Sequence, residues 1–244
     1  MIRPPRISPF VVAAAFSLAS LTAVPAVANA QGTMPTETSR AVAGGGISVK
    51  GWAGSVDASE AKAGLTISAA KFAAEGTGYH ITTGPASTYW NPANSASGNY
   101  TVKATFTEPR YQNLNDHPHP YGIAIAGSDL GTDTASLLYC TAYGNGTFIV
   151  RGFGPAPFRL GGRGATANDA VHKATAKGEP VTQEIAVSVK DGKVSCAING
   201  TVVATFDKAE AVGEGKLKSL DGTYGLRFGH NTEVVVSGLS VTKN

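Results

Sequence analysis

Residues 183–206 read QEIAVSVKDGKVSCAINGTVVATF, and this stretch decides the fold. Three runs rich in β-branched residues, Gln183 to Lys190, Lys193 to Ile198 and Thr201 to Phe206, are separated by Asp191-Gly192 and Asn199-Gly200. Asp-Gly and Asn-Gly suit type I′ turns, because both central residues there take positive φ. The stretch therefore reads as a three-strand antiparallel meander.

Further strands lie on either side. Tyr100 to Phe106 alternates large with small or polar residues, as a half-buried strand does. Tyr121 to Ala126 and Ala135 to Tyr143 precede Gly144-Asn145-Gly146, and Thr147 to Gly152 follows, which marks another hairpin. Gly222 to Phe228 and Glu233 to Val241 close the chain. Helical periodicity is nearly absent; Ala58 to Ala63 suits one turn. Many strands with tight turns imply an all-β, two-sheet antiparallel sandwich or a barrel. Phe153 to Pro180 lacks such signals. Ordered loops of that length are uncommon and often functional, while a mobile surface loop is the plainer reading.

Composition agrees with a folded domain. Of 244 residues, 42% are hydrophobic and 15% charged, which excludes intrinsic disorder. A formal charge of +3 gives no basis for a nucleic-acid partner. Beyond the N-terminus there is no apolar run of the length that a membrane span needs. Residues 1–30 carry Arg3 and Arg6, an apolar stretch from Phe10 to Val24 and the small-x-small site Ala28-Asn29-Ala30. That is the organisation of a secretory signal peptide cleaved after Ala30, and it predicts a secreted or periplasmic, bacterial-type location. Cleavage lowers the formal charge to +1, since two arginines and no acid are removed. Residues 31–46 end in three glycines and read as a flexible tail. Residues 47–244 remain as one domain.

The series Ala197-Ile198-Asn199-Gly200-Thr201, Gly222-Thr223-Tyr224-Gly225-Leu226-Arg227 and Val234 to Val241 resembles the C-terminal half of concanavalin A-like lectin/glucanase (laminin G-like) jelly rolls. His119 to Arg151 resembles secreted bacterial proteins of the same fold, near the 3-keto-disaccharide hydrolase domain family. The resemblance implies two stacked, curved sheets, with any sugar on the concave outer face of one sheet or on its rim. It implies no single activity, because such folds host many.

Candidate residues follow from strand parity and local chemistry. Arg227 lies opposite Tyr224, Leu226 and Phe228 and is expected to face groove or solvent. Trp and Tyr offer flat apolar platforms for sugar C–H faces. Trp90, followed by Asn91-Pro92, heads that group. Tyr121, Tyr143, His119, Arg151 and Arg227 complete the expected ligand set. The basic residues between 151 and 177 suit a carboxylated or sulfated glycan, or simply a solvated loop. Asn115-Asp116-His117-Pro118-His119 is the densest ligand-type cluster. Asp116, His117 and His119 suit zinc, with a further ligand from His80, His172 or His230. Calcium on Asp57, Asp129, Asp133 or Asp221 is the other metal option. Cys140 and Cys196 lie in β-rich runs, and Cys196 shares a face with Val194 and Ile198. In an oxidising compartment they are expected to pair; two buried thiols are the alternative.

Glycoside hydrolysis needs two carboxyl groups flanking one bond. The chain has no E-x-D-x-E run, and no catalytic residue can be transferred. The sequence thus points to a carbohydrate-binding, lectin-like jelly roll without an evident catalytic motif. A glycoside hydrolase or lyase of 3-keto-disaccharide type, metal-assisted, is one alternative. A structural interaction domain of the cell envelope is another.

Overall fold

The computed structural model describes residues 1–2 and 38–244. The expected signal peptide from Arg3 onward, and residues 31–37 of the expected tail, lie outside the described residues. Internal contacts separate Met1–Thr36 from Glu37–Asn244, and the fold belongs to the second unit.

The strands are β1 (Gly46–Ile47), β2 (Ala53–Val56), β3 (Lys71–Glu75), β4 (Gly78–Thr82), β5 (Ser87–Ala96) and β6 (Tyr100–Glu108). They continue with β7 (Tyr121–Ser128), β8 (Ser136–Tyr143), β9 (Thr147–Phe153), β10 (Pro157–Leu160) and β11 (Thr166–Ala167). The last are β12 (Val181–Lys190), β13 (Lys193–Ile198), β14 (Thr201–Asp207), β15 (Gly222–Phe228) and β16 (Glu233–Lys243). Among the described residues two short α-helices intervene, α1 (Ala58–Lys62) and α2 (Lys208–Ala211), with one 3-10 turn at Ile67–Ala69. The first sheet runs β1-β3-β4-β16-β6-β12-β13-β14. The second runs β10-β9-β8-β7-β15-β5-β2, with β11 also on β9. All pairings except β1 with β3 are antiparallel. This is the all-β, two-sheet sandwich expected from the sequence.

The meander forms as its turns dictate. Asp191 and Gly192 have φ of 49° and 73°, and Asn199 and Gly200 have 50° and 80°. Such values match the positive φ that type I′ turns require at both central residues. Register follows, with Lys190 opposite Lys193 and Ile198 opposite Thr201. The β8–β9 hairpin closes through three residues instead, with Tyr143 opposite Thr147 and Gly146 at φ 87°.

Alternation sends one face of each sheet into the core. Val102, Phe106, Ile185, Val187 and Val236 come from the first sheet, and Tyr89, Ile123, Leu138, Leu226 and Phe228 from the second. All are at most 1% exposed. Each such apolar side chain contributes roughly 1.5–3 kcal/mol by leaving water. Cys140 on β8 and Cys196 on β13 form a disulfide with Cα atoms 6.0 Å apart. The bond therefore joins one sheet to the other.

The insertion Phe153 to Pro180 is ordered. Its β10 extends the second sheet, Val171 enters the core, and Lys173 bridges to Asn145. Gln183 holds it at His172, accepting from the backbone N–H at 3.0 Å and donating to the carbonyl at 2.8 Å. Residues 38–46 of the expected tail are likewise tied down. The Arg40 N–H donates to Asn231 Oδ1 at 2.8 Å, that of Val42 to the Ala69 carbonyl at 3.0 Å, and Gly46 opens β1.

Candidate functional site

Parity on the second sheet separates core from outer face. The inward row contains Tyr89, Leu226, Ile123, Cys140 and Val150 in register. The next row points outward and contains Ala53, Trp90, Gly225, Ala124, Tyr139, Arg151 and Arg159. A second outward row contains Ser55, Thr88, Arg227, Gly122, Thr141 and Ile149. On β7 both rows are occupied by small residues, Gly122 and Ala124. They leave a lane across which the Arg227 side chain reaches β8 and β9.

At the end of that lane the guanidinium lies 5.3 Å from the Tyr139 ring centroid and 5.2 Å from that of Phe153. Both distances are within cation–π range. The two rings are 5.7 Å apart. Asp57, just before α1, clamps the guanidinium from above. Nη1 donates to Oδ1 at 2.5 Å and Nη2 to Oδ2 at 2.6 Å, a bidentate pair. Nη1 also donates to Thr88 Oγ1 at 3.3 Å. Burial alone would push the Arg227 pKa down, but the Asp57 carboxylate overcomes this and holds it above its usual value.

Around this clamp Ala124, Leu137, Tyr139 and Ile149 form an apolar cluster outside the sheet, separate from the core. Leu130, Tyr143 and Phe153 pack against it. Burial raises the Tyr139 and Tyr143 hydroxyl pKa values, with Arg227 and Arg151 respectively pulling against it. Asp57, Tyr143, Arg151 and Phe153 stay half-exposed. They form the solvent side of a platform that presents the Tyr143 and Phe153 rings and the Arg151 guanidinium, over a buried layer of Arg227 and Tyr139, which are 6% and 7% exposed.

Of the residues expected to bind ligand, Trp90, Tyr143, Arg151 and Arg227 share this face. Trp90 is only 7% exposed, and a Cβ at Gly131 would lie 3.4 Å from its ring. Arg227 is 6% exposed, so it leaves the core side as expected but is covered by Asp57 and the rings rather than facing open groove or solvent. Tyr121 is corrected: it faces inward, is 0% exposed and stacks 5.9 Å from Phe106. A ligand outside the sandwich does not reach it. Strand parity also accounts for two residues the sequence reading passed over. Once Cys140 points inward, Tyr139 must point outward, and Phe153 shares a face with Arg151.

His119 lies elsewhere, in the loop before β7. His117, His119 and His230 place their ligating nitrogens within 4.8 Å of one another. Ring centroids are 4.4 Å apart for His117 and His119, 4.0 Å for His119 and His230, and 6.3 Å for His117 and His230. Burial first, then His230 and His117, lowers the His119 pKa to about 3. Asp116 is corrected as a ligand, since among the described residues the only metal-competent group of three or more is these histidines. His80 sits between Glu75 and Glu233, and His172 Nδ1 lies 2.8 Å from the Thr182 carbonyl. The acids considered for calcium are dispersed. Asp57 holds Arg227, Asp129 pairs with Lys218 at 3.2 Å, and Asp221 accepts from the Gly98 N–H at 2.9 Å.

A cavity of about 260 Å³ opens at the free edge of the sandwich. Val150, Leu160, Gly161 and Thr166 line one side, and Ala204 and Phe206 the other.

This architecture defines a class: a two-sheet antiparallel jelly-roll sandwich. Among solved structures, the CBM66 carbohydrate-binding module from Bacillus subtilis aligns with 81% of this chain and 99% of its own, at 10% identity and TM-score 0.51. A B. subtilis protein of unknown function with a galectin-like fold aligns with 80% of this chain and 90% of its own, at 14% identity and TM-score 0.54. The endo-β-1,3-glucanase from Pyrococcus furiosus aligns with 82% and 91%, at 12% identity and TM-score 0.50. At these identities the likeness concerns the fold. No family model and no curated protein matches the chain.

Proposed function

We propose that this chain is an exported carbohydrate-binding protein whose site is the outer face of the second sheet. The observation that carries the reading is the Arg227 guanidinium held by Asp57 against Tyr139 and Phe153, beside half-exposed Tyr143 and Arg151. Aromatic rings offer sugars a flat apolar surface, the Arg151 guanidinium at the rim supplies donors, and the buried Arg227–Asp57 pair holds the rings from beneath. A fixed platform also loses little side-chain entropy when a ligand arrives. The fold shared with a carbohydrate-binding module supports the reading.

Arg151 and Arg159 lie opposite one another on the outer row and add positive charge at its edge. They favour a glycan bearing carboxylate or sulfate. Both Asp57 oxygens accept from Arg227, so this carboxylate is committed to holding the platform. That arrangement favours binding over hydrolysis.

A glycan array at low and high salt, followed by calorimetric titration of the best ligand, tests the proposal. Tyr143→Ala and Phe153→Ala should each weaken binding by about 1–3 kcal/mol, the scale of stacking on an aromatic side chain. Arg151→Ala should flatten the salt dependence. Failure of the wild-type chain to retain any glycan, or undiminished affinity in all three variants, overturns the assignment. Intact mass of the exported protein tests the expected cleavage after Ala30. A species retaining residues 1–30 speaks against it.

A further inference from the structure

We propose that His117, His119 and His230 bind a single divalent transition-metal ion of the zinc type, at a site separate from the glycan platform. The three imidazoles come from loops about 110 residues apart in sequence, yet their ligating nitrogens fall within 4.8 Å of one another. A tetrahedral zinc with Zn–N bonds of about 2.0–2.1 Å holds its nitrogens roughly 3.3 Å apart. Closing the cluster onto an ion therefore needs shifts on the order of 1 Å. His117 is exposed at the surface, and rotation of its side chain supplies such a shift.

The backbone beneath the rings is already set. Asn115 Nδ2 donates to the Asn231 carbonyl at 2.5 Å, and the Gly229 N–H donates to the Pro120 carbonyl at 2.7 Å. Thr83 Oγ1 donates to the Gly229 carbonyl at 2.7 Å. Glycine is required at 229, because a Cβ there would lie 2.7 Å from Pro120 Cδ and 3.1 Å from His119 Cβ. That close approach is what brings His230 against His119. The ring positions thus follow from the fold, and the site is preorganised.

The donor set selects the ion. Three neutral imidazoles suit zinc, copper, nickel and cobalt, whereas calcium and magnesium need oxygen. With three protein ligands, one position of a tetrahedral ion is left for water or a solvent-borne anion. The graded burial, from exposed His117 through His230 to buried His119, leaves that position on the His117 side.

The test needs no glycan, so its outcome is independent of the platform. The purified full chain is stripped with a chelator and titrated with Co²⁺. We expect one equivalent to give the visible d–d bands of a four- or five-coordinate nitrogen site. Zn²⁺ should displace it and Ca²⁺ should not. His117→Ala should weaken Co²⁺ binding by about 100-fold or more while keeping the far-UV circular dichroism of the metal-free wild type, since even outer-shell partners are worth 10–100-fold. His230→Ala should do the same to affinity, and His80→Ala and His172→Ala should leave it intact. Absence of a stoichiometric spectrum, persistence of the spectrum in both His117→Ala and His230→Ala, or displacement by Ca²⁺ overturns the proposal.

Discussion

Replacing Glu108 by glutamine should make the protein more stable at neutral pH while leaving its stability near pH 4 almost unchanged. Glu108 ends β6 and is 7% exposed. Its Oε1 accepts from the Gln112 N–H at 3.1 Å, whereas Oε2 is buried with no hydrogen-bond partner among the described residues. Burial pushes the carboxyl up to about 7 from a reference of 4.5, with the Gln112 N–H pulling the other way. The folded chain therefore holds a proton on Glu108 across a range in which the unfolded chain has lost it. Stability from this group is complete below pH 4.5 and falls as pH rises to about 7. A shift of this size corresponds to roughly 3 kcal/mol. Glutamine keeps the shape and carries no charge, so the pH-dependent loss disappears. Urea unfolding of both proteins between pH 4 and pH 8 checks this. The stability difference should be small at the acid end and grow to roughly 3 kcal/mol in favour of the Glu108→Gln variant at pH 8. The difference is the proper readout, because the lowered pKa of His119 gives the wild type an opposing slope below its unfolded value of 6.5. A difference that stays constant with pH, or a carbon NMR titration placing Glu108 near 4.5, would refute the reasoning.

Three further outcomes are expected. Asp57→Ala leaves the Arg227 guanidinium buried and unpaired, which should cost about 3–5 kcal/mol in denaturant unfolding; the double change with Arg227→Met should recover much of it. Removing the Cys140–Cys196 bond by paired serine substitution frees a loop of 56 residues and should cost roughly 4 kcal/mol in the chain-entropy model. An unchanged midpoint would mean the link acts on something other than the unfolded chain. Trp90→Ala should lower stability by about 3–5 kcal/mol, because Gly131 covers the ring; weakened glycan affinity with an unchanged melting temperature would instead assign Trp90 to the contact surface.

The C-terminal half was legible because its turns carry their own chemistry. Asp191-Gly192 and Asn199-Gly200 specify hairpins locally, and alternation in β12 to β15 then fixes which side faces in. Strands β1 to β5 gave weaker signals. Ala53–Val56 reads AGSV and Lys71–Glu75 reads KFAAE, segments whose small residues hide any alternation. They form strands because the sheet edge beside them supplies hydrogen bonds and the core accepts Phe72. The platform was half legible. Parity placed Arg227, but Asp57 reaches it from 170 residues away. His230 joins His117 and His119 through a loop contact between β15 and β16 that leaves no trace in spacing. Tyr121 illustrates the reverse error, since an aromatic at a strand start suits a rim and a core equally.

The Cys140–Cys196 bond also has a mechanical meaning. A sandwich is held together by apolar contacts that have no direction, so sliding one layer over the other is its softest distortion. The bond ties β8 to β13 across the layers and stops that shear at its own position. The strands next outward, β9 and β14, flank the cavity at the open edge through Val150 and Ala204, the register partners of the two cysteines. The cavity mouth thus sits one strand from a covalent rivet between the layers.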